Sequence, residues 1–379
     1  MSAQRKIHGT EETSLAATPL AARLKERIAR EGPLNVADYM QACLADPSAG
    51  YYTSRQPIGR EGDFVTAPEV SQIFGELLGL WAVGVWQSMG EPGSVIVAEL
   101  GPGRGTLMAD ALRAWRSVPK FSESVTVALV ETSSVLRDVQ QAALRGSRVP
   151  LQWCDRIEDV PDGPLILIAN EFIDALPVRQ LVRSGGVWRE RCVTIGPNGA
   201  FAFTAGEAIQ GDEPASAALG IDAPDGAILE TRPAMASLLS SLASRAGDTP
   251  LAALIVDYGH EETSVGDTLQ AVHRHRFADP LATPGEVDLT AHVDFAALRE
   301  SAQALGLTTH GPMAQGEFLL KLGLEKRRDR LLAQAKPDQK EAILSGAARL
   351  ADPRAMGLLF KVLALTSNGL APPPPFGDI

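Results

Sequence analysis

The chain has 379 residues, 45% of them hydrophobic and 21% charged, the balance of a globular protein built as one large domain with insertions or as two smaller ones. With 35 basic against 46 acidic residues the net charge is -11, which argues against a nucleic-acid surface and suits a basic or neutral partner. Apolar runs all fall short of the roughly 18 residues that a membrane span needs. Cys43, Cys154 and Cys192 are too scattered for a disulfide framework or a zinc site. A reducing compartment is therefore expected: cytoplasmic in a bacterium, or the mitochondrial matrix in a eukaryote.

Residues 1–14 are polar and include Glu11 and Glu12, unlike a secretory signal or an acid-poor transit peptide, and read as a frayed terminus. Leu20, Leu24 and Ile28, then Val36, Met40 and Leu44, recur at helical spacing and predict helix over 18–45, interrupted at Gly32-Pro33. A polar loop with Arg60, Asp63, Thr66 and Glu69 follows; it is either a surface connection or a lid over a ligand. Pro68 is placed to open a helix running to about Met89 on a broad apolar face.

Val95–Ala98 reads as a buried strand of a parallel sheet, followed by Glu99 and three alternating glycines, Gly101, Gly103 and Gly105. Thr106 is placed to cap the next helix, whose apolar face is Leu107, Met108, Ala111, Leu112 and Trp115. Strand, glycine turn and helix open a nucleotide-type fold, since glycine serves where the backbone turns with φ > 0 or meets a ligand without a Cβ. A dinucleotide fingerprint would put glycine at position 106, and a P-loop would end in Gly-Lys-Ser/Thr. The remaining pattern, Glu-x-Gly-x-Gly-x-Gly, resembles the first motif of class I methyltransferases dependent on S-adenosyl-L-methionine. That cofactor has no phosphate and so requires no lysine. The alternative is an ordinary tight strand-to-helix turn.

The second strand, Val125–Val130, ends in Glu131, placed to hold a ribose through two hydroxyls or to favour a helix N-terminus. A third strand over 149–153 leads to Asp155, positioned for an adenine amino group or simply for a turn. Pro164–Ala169 is the fourth strand. Residues just beyond it, Asn170 and Glu171 first, fall in the crevice where open α/β sheets bind ligands. Amino-methylating nucleic-acid enzymes place Asp/Asn-Pro-Pro-aromatic here. The chain has Asn170-Glu171-Phe172-Ile173, so base methylation is disfavoured.

Val178–Ile195 reads as a hairpin around Gly185-Gly186, and residues 205–226 as a surface loop. Residues 233–246 are helical, and the fifth strand Leu251–Val256 ends in Asp257-Tyr258-Gly259-His260. His273, His275 and His292 lack Cys or Glu at ligand spacing, so no metal site is expected. Helices follow over 295–305 and 325–351. Met356–Leu365 closes the sheet, and the Pro372–Pro375 tail reads as disordered. The fold expected is α/β: a Rossmann-like seven-stranded class I methyltransferase sheet with an N-terminal helical extension, a β-hairpin and helical insertions. The organisation expected is a helical and lid-like region over 1–90 and a methyltransferase domain over 91–379, with insertions at about 178–250 and 260–355.

Gly62–Glu76, Glu99–Gly105, Asn170–Pro177, Asp257–Gly259 and Asp288–Phe295 together resemble the MidA family, over about residues 20 to 368. The resemblance implies S-adenosyl-L-methionine as cofactor, held through Glu99, Gly101, Gly103, Gly105, Thr106, Glu131, Asp155 and Asn170. It also implies methylation of an arginine in the 49-kDa-type subunit of respiratory complex I, as an aid to assembly. Better-known arginine methyltransferases hold the guanidinium with two glutamates on one loop. Here the loop after the fourth strand offers Glu171 with Asp174. Glu171 is the first candidate for orienting the acceptor, with Asp174 and His292 as helpers. A SAM-binding assembly chaperone without turnover, and a small-molecule methyltransferase, remain the alternatives.

Overall fold

In the computed structural model, residues 18–54, 66–209, 223–273 and 276–377 are described. Seven strands form the body of the central sheet: β1 (Val95–Leu100), β2 (Val125–Val130), β3 (Leu151–Cys154), β4 (Leu165–Asn170), β5 (Leu251–His260), β6 (Thr308–Ala314) and β7 (Phe360–Thr366); the two-residue strand Val293–Asp294 joins it off the main path, beside the end of β5. Their spatial order is β3-β2-β1-β4-β5-β7-β6. Strands β1 to β5 are parallel, and β7 runs antiparallel between β5 and β6. The order reverses at β1 and β4, so a crevice opens beyond their carboxyl ends.

The inner strands β1, β4 and β5 are buried on both faces, which is why they read as apolar runs, while the edge strands β3 and β6 are half-exposed and mixed in sequence. Val95 and Val97 face a layer containing Trp81, Trp86, Trp115 and Phe121. Ile96, Ala98 and Leu100 face the opposite layer with Leu239, Leu242 and Leu298. The alternation follows from the two-residue period of a strand. Helix Gln72–Ser88 lies against helix Thr106–Trp115 so closely that a Cβ on Gly75 would stand 2.7 Å from the Asp110 Cβ, and one on Gly79 2.7 Å from the Ala111 Cα.

Helices Pro19–Glu31 and Val36–Ala45 start at side-chain caps, Thr18 and Asn35, and are separated at Gly32 in a left-handed conformation. They share one apolar cluster with Val178, Val193, Ala271 and Leu289. Val193, Ala271 and Leu289 come from two further sheets, and Val178 directly precedes a strand of the first. One has Arg179–Ser184 paired with Val187–Ile195 across Gly185-Gly186, both with positive φ as a two-residue hairpin turn requires. The other pairs Gln270–His273 with Arg276–Ala278 and with Asp288–Thr290.

Several expectations are corrected. The helix opened by Pro68 does not run unbroken to Met89. It stops at Val70, and Ser71 in extended conformation (φ -161, ψ 133) caps a new helix by accepting from the Ile73 N–H. Thr106 does not cap its helix; Gly105 does so through its backbone, in the left-handed region at φ 79. Residues 353–357 form a wide helical turn, and the closing strand starts only at Phe360. The tail is docked: Pro373 and Pro375 are buried and the Phe376 ring lies 5.8 Å from that of Phe318. Its two prolines and Phe376 supply apolar surface that the proline count alone conceals. Arg60, Asp63 and His275 lie outside the described residues.

Candidate active site

A cleft opens at the ends of β1 and β4. Its walls are the glycine loop (Gly101, Gly103, Arg104), Glu99 and Thr106, the β4 end (Asn170, Glu171), and a short strap, Thr66 to Ser71. Gly101, Gly103 and Gly105 all have positive φ, of 57, 53 and 79. Side chains with a Cβ rarely adopt that region, which is the physical reason for three glycines here. A Cβ on Gly101 would also stand 2.8 Å from the Phe172 ring. Gly105 does not line the cleft; it starts the helix beneath it.

Glu99 is buried within β1, and its Oε2 has no partner among the described residues. Burial pushes its carboxyl up to about 8. Asn170 is buried as well, and its Oδ1 has no partner among the described residues. Glu171 follows it with φ 50, left-handed for a residue that is not glycine, so backbone strain sits at the β4 end. Its Oε1 accepts from the Ala67 N–H at 2.8 Å and from Asn170 Nδ2 at 3.3 Å. Burial, reinforced by the nearby Asp174, raises its carboxyl to about 7 against those two bonds.

The Glu171 turn is held by Asp257. Its Oδ2 accepts the N–H groups of Ile173 (2.9 Å) and Asp174 (3.1 Å), and its Oδ1 accepts that of Tyr258. Asp174 and Asp257 are both buried and both raised by that burial. Asp174 and His292 do not line the cleft; each lies by Tyr258, whose ring meets that of His292 edge-on at 5.4 Å. Burial lowers the His292 imidazole. The buried Arg232 donates to the carbonyls of Ala291 and His292.

Glu131 stands just past β2. Its Oε1 accepts from the Ser133 N–H (2.8 Å) and its Oε2 from Gln140 Nε2 (3.2 Å). Gln140 also donates to the Gly103 carbonyl (2.8 Å) and accepts from Trp153 Nε1 (2.9 Å). One amide thus ties the glycine loop, the β2 end and β3 together. Asp155 is exposed and paired with Arg137 at 2.6 Å.

Gln140 escapes a linear reading, and Glu69 is placed by it only on the polar loop. Gln140 had a signal: it falls four residues after Leu136 on the buried face of its helix, and a polar residue there needs buried partners. Glu69 stood in the polar loop that reads as a surface connection or a lid over a ligand, and it enters the cleft. It does so because Thr106 donates its hydroxyl to Glu69 Oε1 at 2.5 Å.

Residues 77–313 match a family described as S-adenosyl-L-methionine-dependent methyltransferase. The chain belongs to this family. It is 38% identical to the mitochondrial protein arginine methyltransferase NDUFAF7 homolog of Drosophila melanogaster, across 93% of this chain and 86% of that one. It is 35% identical to the mitochondrial protein arginine methyltransferase NDUFAF7 of Homo sapiens, across 94% and 85%. A crystal structure of a Burkholderia thailandensis protein bound to S-adenosyl-homocysteine superposes with a TM-score of 0.81 at 31% identity, covering 93% of this chain and 92% of that one. The family's fold is that of class I methyltransferases, and its members depend on S-adenosyl-L-methionine. No helix among the described residues is long and apolar enough to cross a membrane.

Proposed function

We propose that this methyltransferase acts on an arginine of a protein substrate, and that the substrate is the 49-kDa-type subunit of respiratory complex I. The observation that carries the reading is Glu171: a carboxylate fixed in a left-handed turn at the end of β4, on the wall of the cofactor cleft. A guanidinium presents a fork of N–H donors to which a carboxylate is the matching acceptor. The names of the Drosophila and human relatives point the same way, and the family resemblance supplies the complex I subunit.

The cleft fits the cofactor. Glu99 Oε2 and Asn170 Oδ1 are buried acceptors awaiting donors, and the glycine loop keeps side chains off its floor. In this reading Glu99 and Asn170 receive the cofactor's polar groups, Gly101, Gly103 and Thr106 form its cradle, and Gly105 sets the loop's exit. Glu131, steadied by Gln140, takes the ribose, and Asp155 stands at the rim for the adenine. When bound, the cofactor supplies an electrophilic methyl whose bonding electron pair departs with sulfur.

Glu171 orients the guanidinium so that one nitrogen attacks in line, and it draws positive charge toward the nitrogens it bonds. As the N–C bond forms, that nitrogen releases a proton. Glu171, held at about 7, can take it and pass it to water. Asp174 and His292 assist from beside Tyr258, by keeping the loop and its charge in place.

Glu171→Gln keeps the shape and one acceptor but removes the charge. We expect S-adenosyl-homocysteine affinity near wild type by calorimetry and methyl transfer to the purified subunit reduced at least ~100-fold, about 2.7 kcal/mol of transition-state stabilisation. Transfer at the wild-type rate would move the acceptor carboxylate elsewhere. Wild-type protein that binds cofactor but labels no arginine would favour an assembly chaperone.

A further inference from the structure

Hydrogen-bond bookkeeping in the cleft leaves acceptors without donors. Glu171 and Glu69 each commit Oε1, to the Ala67 N–H and to the Thr106 hydroxyl. For Oε2 of either residue no donor stands among the described residues, and both side chains line the cleft. Asn170, more than nine-tenths buried, lines the same wall with its Oδ1 unpaired. Three acceptors from two chain segments thus border one cavity. Asn170 Oδ1 is buried and the two carboxylates are half-buried, so the cleft favours a ligand rich in N–H groups. Of the groups carried by protein side chains, a guanidinium has the most, five donors in one plane.

We infer that Glu69 is the second carboxylate of the acceptor site, and that Glu69 and Glu171 clamp the substrate guanidinium from two separate chain segments. The inference rests on the arginine reading above and adds to it a residue and an assembly rule. Glu69 rides on the strap, not on the β4 loop. The clamp exists only while the strap is seated; beside the buried packing of Ala67 and Pro68, two bonds among the described residues seat it, Ala67 on Glu171 and Glu69 on Thr106 of the glycine loop. The acceptor pocket is therefore completed through contact with the cofactor loop. A lysine ammonium has three donors in a tetrahedral cone and cannot span the two carboxylates in the same plane, so the clamp also selects arginine over lysine.

The test separates three outcomes in one set of proteins. Wild type, Glu69→Gln and Thr106→Val are loaded with S-adenosyl-homocysteine, and binding of N-acetyl-arginine methylamide is followed by ligand-observed NMR. Methyl transfer to the purified complex I subunit is measured in parallel. For Glu69→Gln we expect cofactor affinity within about 2-fold of wild type, arginine-probe binding weakened at least 10-fold, and kcat/KM for the subunit lowered at least 50-fold. The lysine analogue should bind poorly throughout. If Glu69→Gln instead loses S-adenosyl-homocysteine affinity in step with activity, Glu69 serves the cofactor and the clamp is overturned. Thr106→Val removes the bond that holds Glu69 in the cleft and should weaken arginine-probe binding in the same sense; unchanged probe binding in that variant would overturn the seating of the clamp. No arginine-probe binding to wild type also overturns it. Failure of the arginine reading is distinct: it is wild-type protein that transfers no methyl to any arginine of the subunit.

Discussion

At the cleft each residue is constrained by its backbone before its chemistry matters. Gly103, at φ 53, sits on the cleft floor while its carbonyl is gripped by Gln140. A branched side chain there would be strained and would project from the one turn that must stay bare. Gly103→Val should abolish S-adenosyl-homocysteine binding by calorimetry with the far-UV circular dichroism essentially native. Normal binding would reduce the loop to a turn. The same scale shows what could be read from the chain and what could not. The alternating glycines and Glu99 are neighbours in sequence, so their pattern announced the loop. Gln140 reaches back to Gly103 across 37 positions, and Thr106 reaches back to Glu69 across another 37. Contacts of that kind leave no periodic trace.

Among the elements, strands β1, β2, β4, β5 and β7 were legible because burial on both faces makes them nearly unbroken apolar runs, whereas the edge strand β6, mixed in sequence and only half-buried, was not. The break at Ser71 was not, because apolar spacing continues through it and only the backbone turns. That break matters: it frees the four-residue helix Ala67–Val70 from the long helix behind it and lets it lie across the cleft. The long helix is held by buried charge. Glu76 accepts from Arg327 Nε at 2.6 Å and from Arg113 Nε at 3.0 Å, joining three helices. Both arginines reach solvent, so the loss on removing the charge is discounted from that of a fully buried triad. Glu76→Gln should lower stability by about 2 kcal/mol in urea titration. It should also speed proteolysis within helix Leu324–Gln334, while S-adenosyl-homocysteine still binds. An unchanged denaturation midpoint would mean that packing alone secures this helix.

For the whole molecule, the buried carboxyls set a pH dependence. Glu99 is held at about 8 against 4.5 when free, and burial raises Asp174 and Asp257 in the same sense. A raised acid is stabilising in its protonated form. Its contribution is complete below the unfolded value and is lost as pH rises through the folded one. Ligand-free protein should therefore melt at lower temperature at about pH 8.5 than at about pH 6, and Glu99→Gln should flatten the slope. A wild-type profile that rises across that window would contradict the assignment. The five tryptophans carry an optical consequence. Trp81, Trp86 and Trp115 are sealed under one face of the sheet, and Trp188 belongs to a separate apolar cluster with Leu181 and Leu229. Trp153 alone is bonded to Gln140, and through it to the glycine loop and Glu131. Its indole is thus a built-in fluorophore for cleft occupancy: emission that changes on adding S-adenosyl-homocysteine, and stops changing in Trp153→Phe, would report binding without any label.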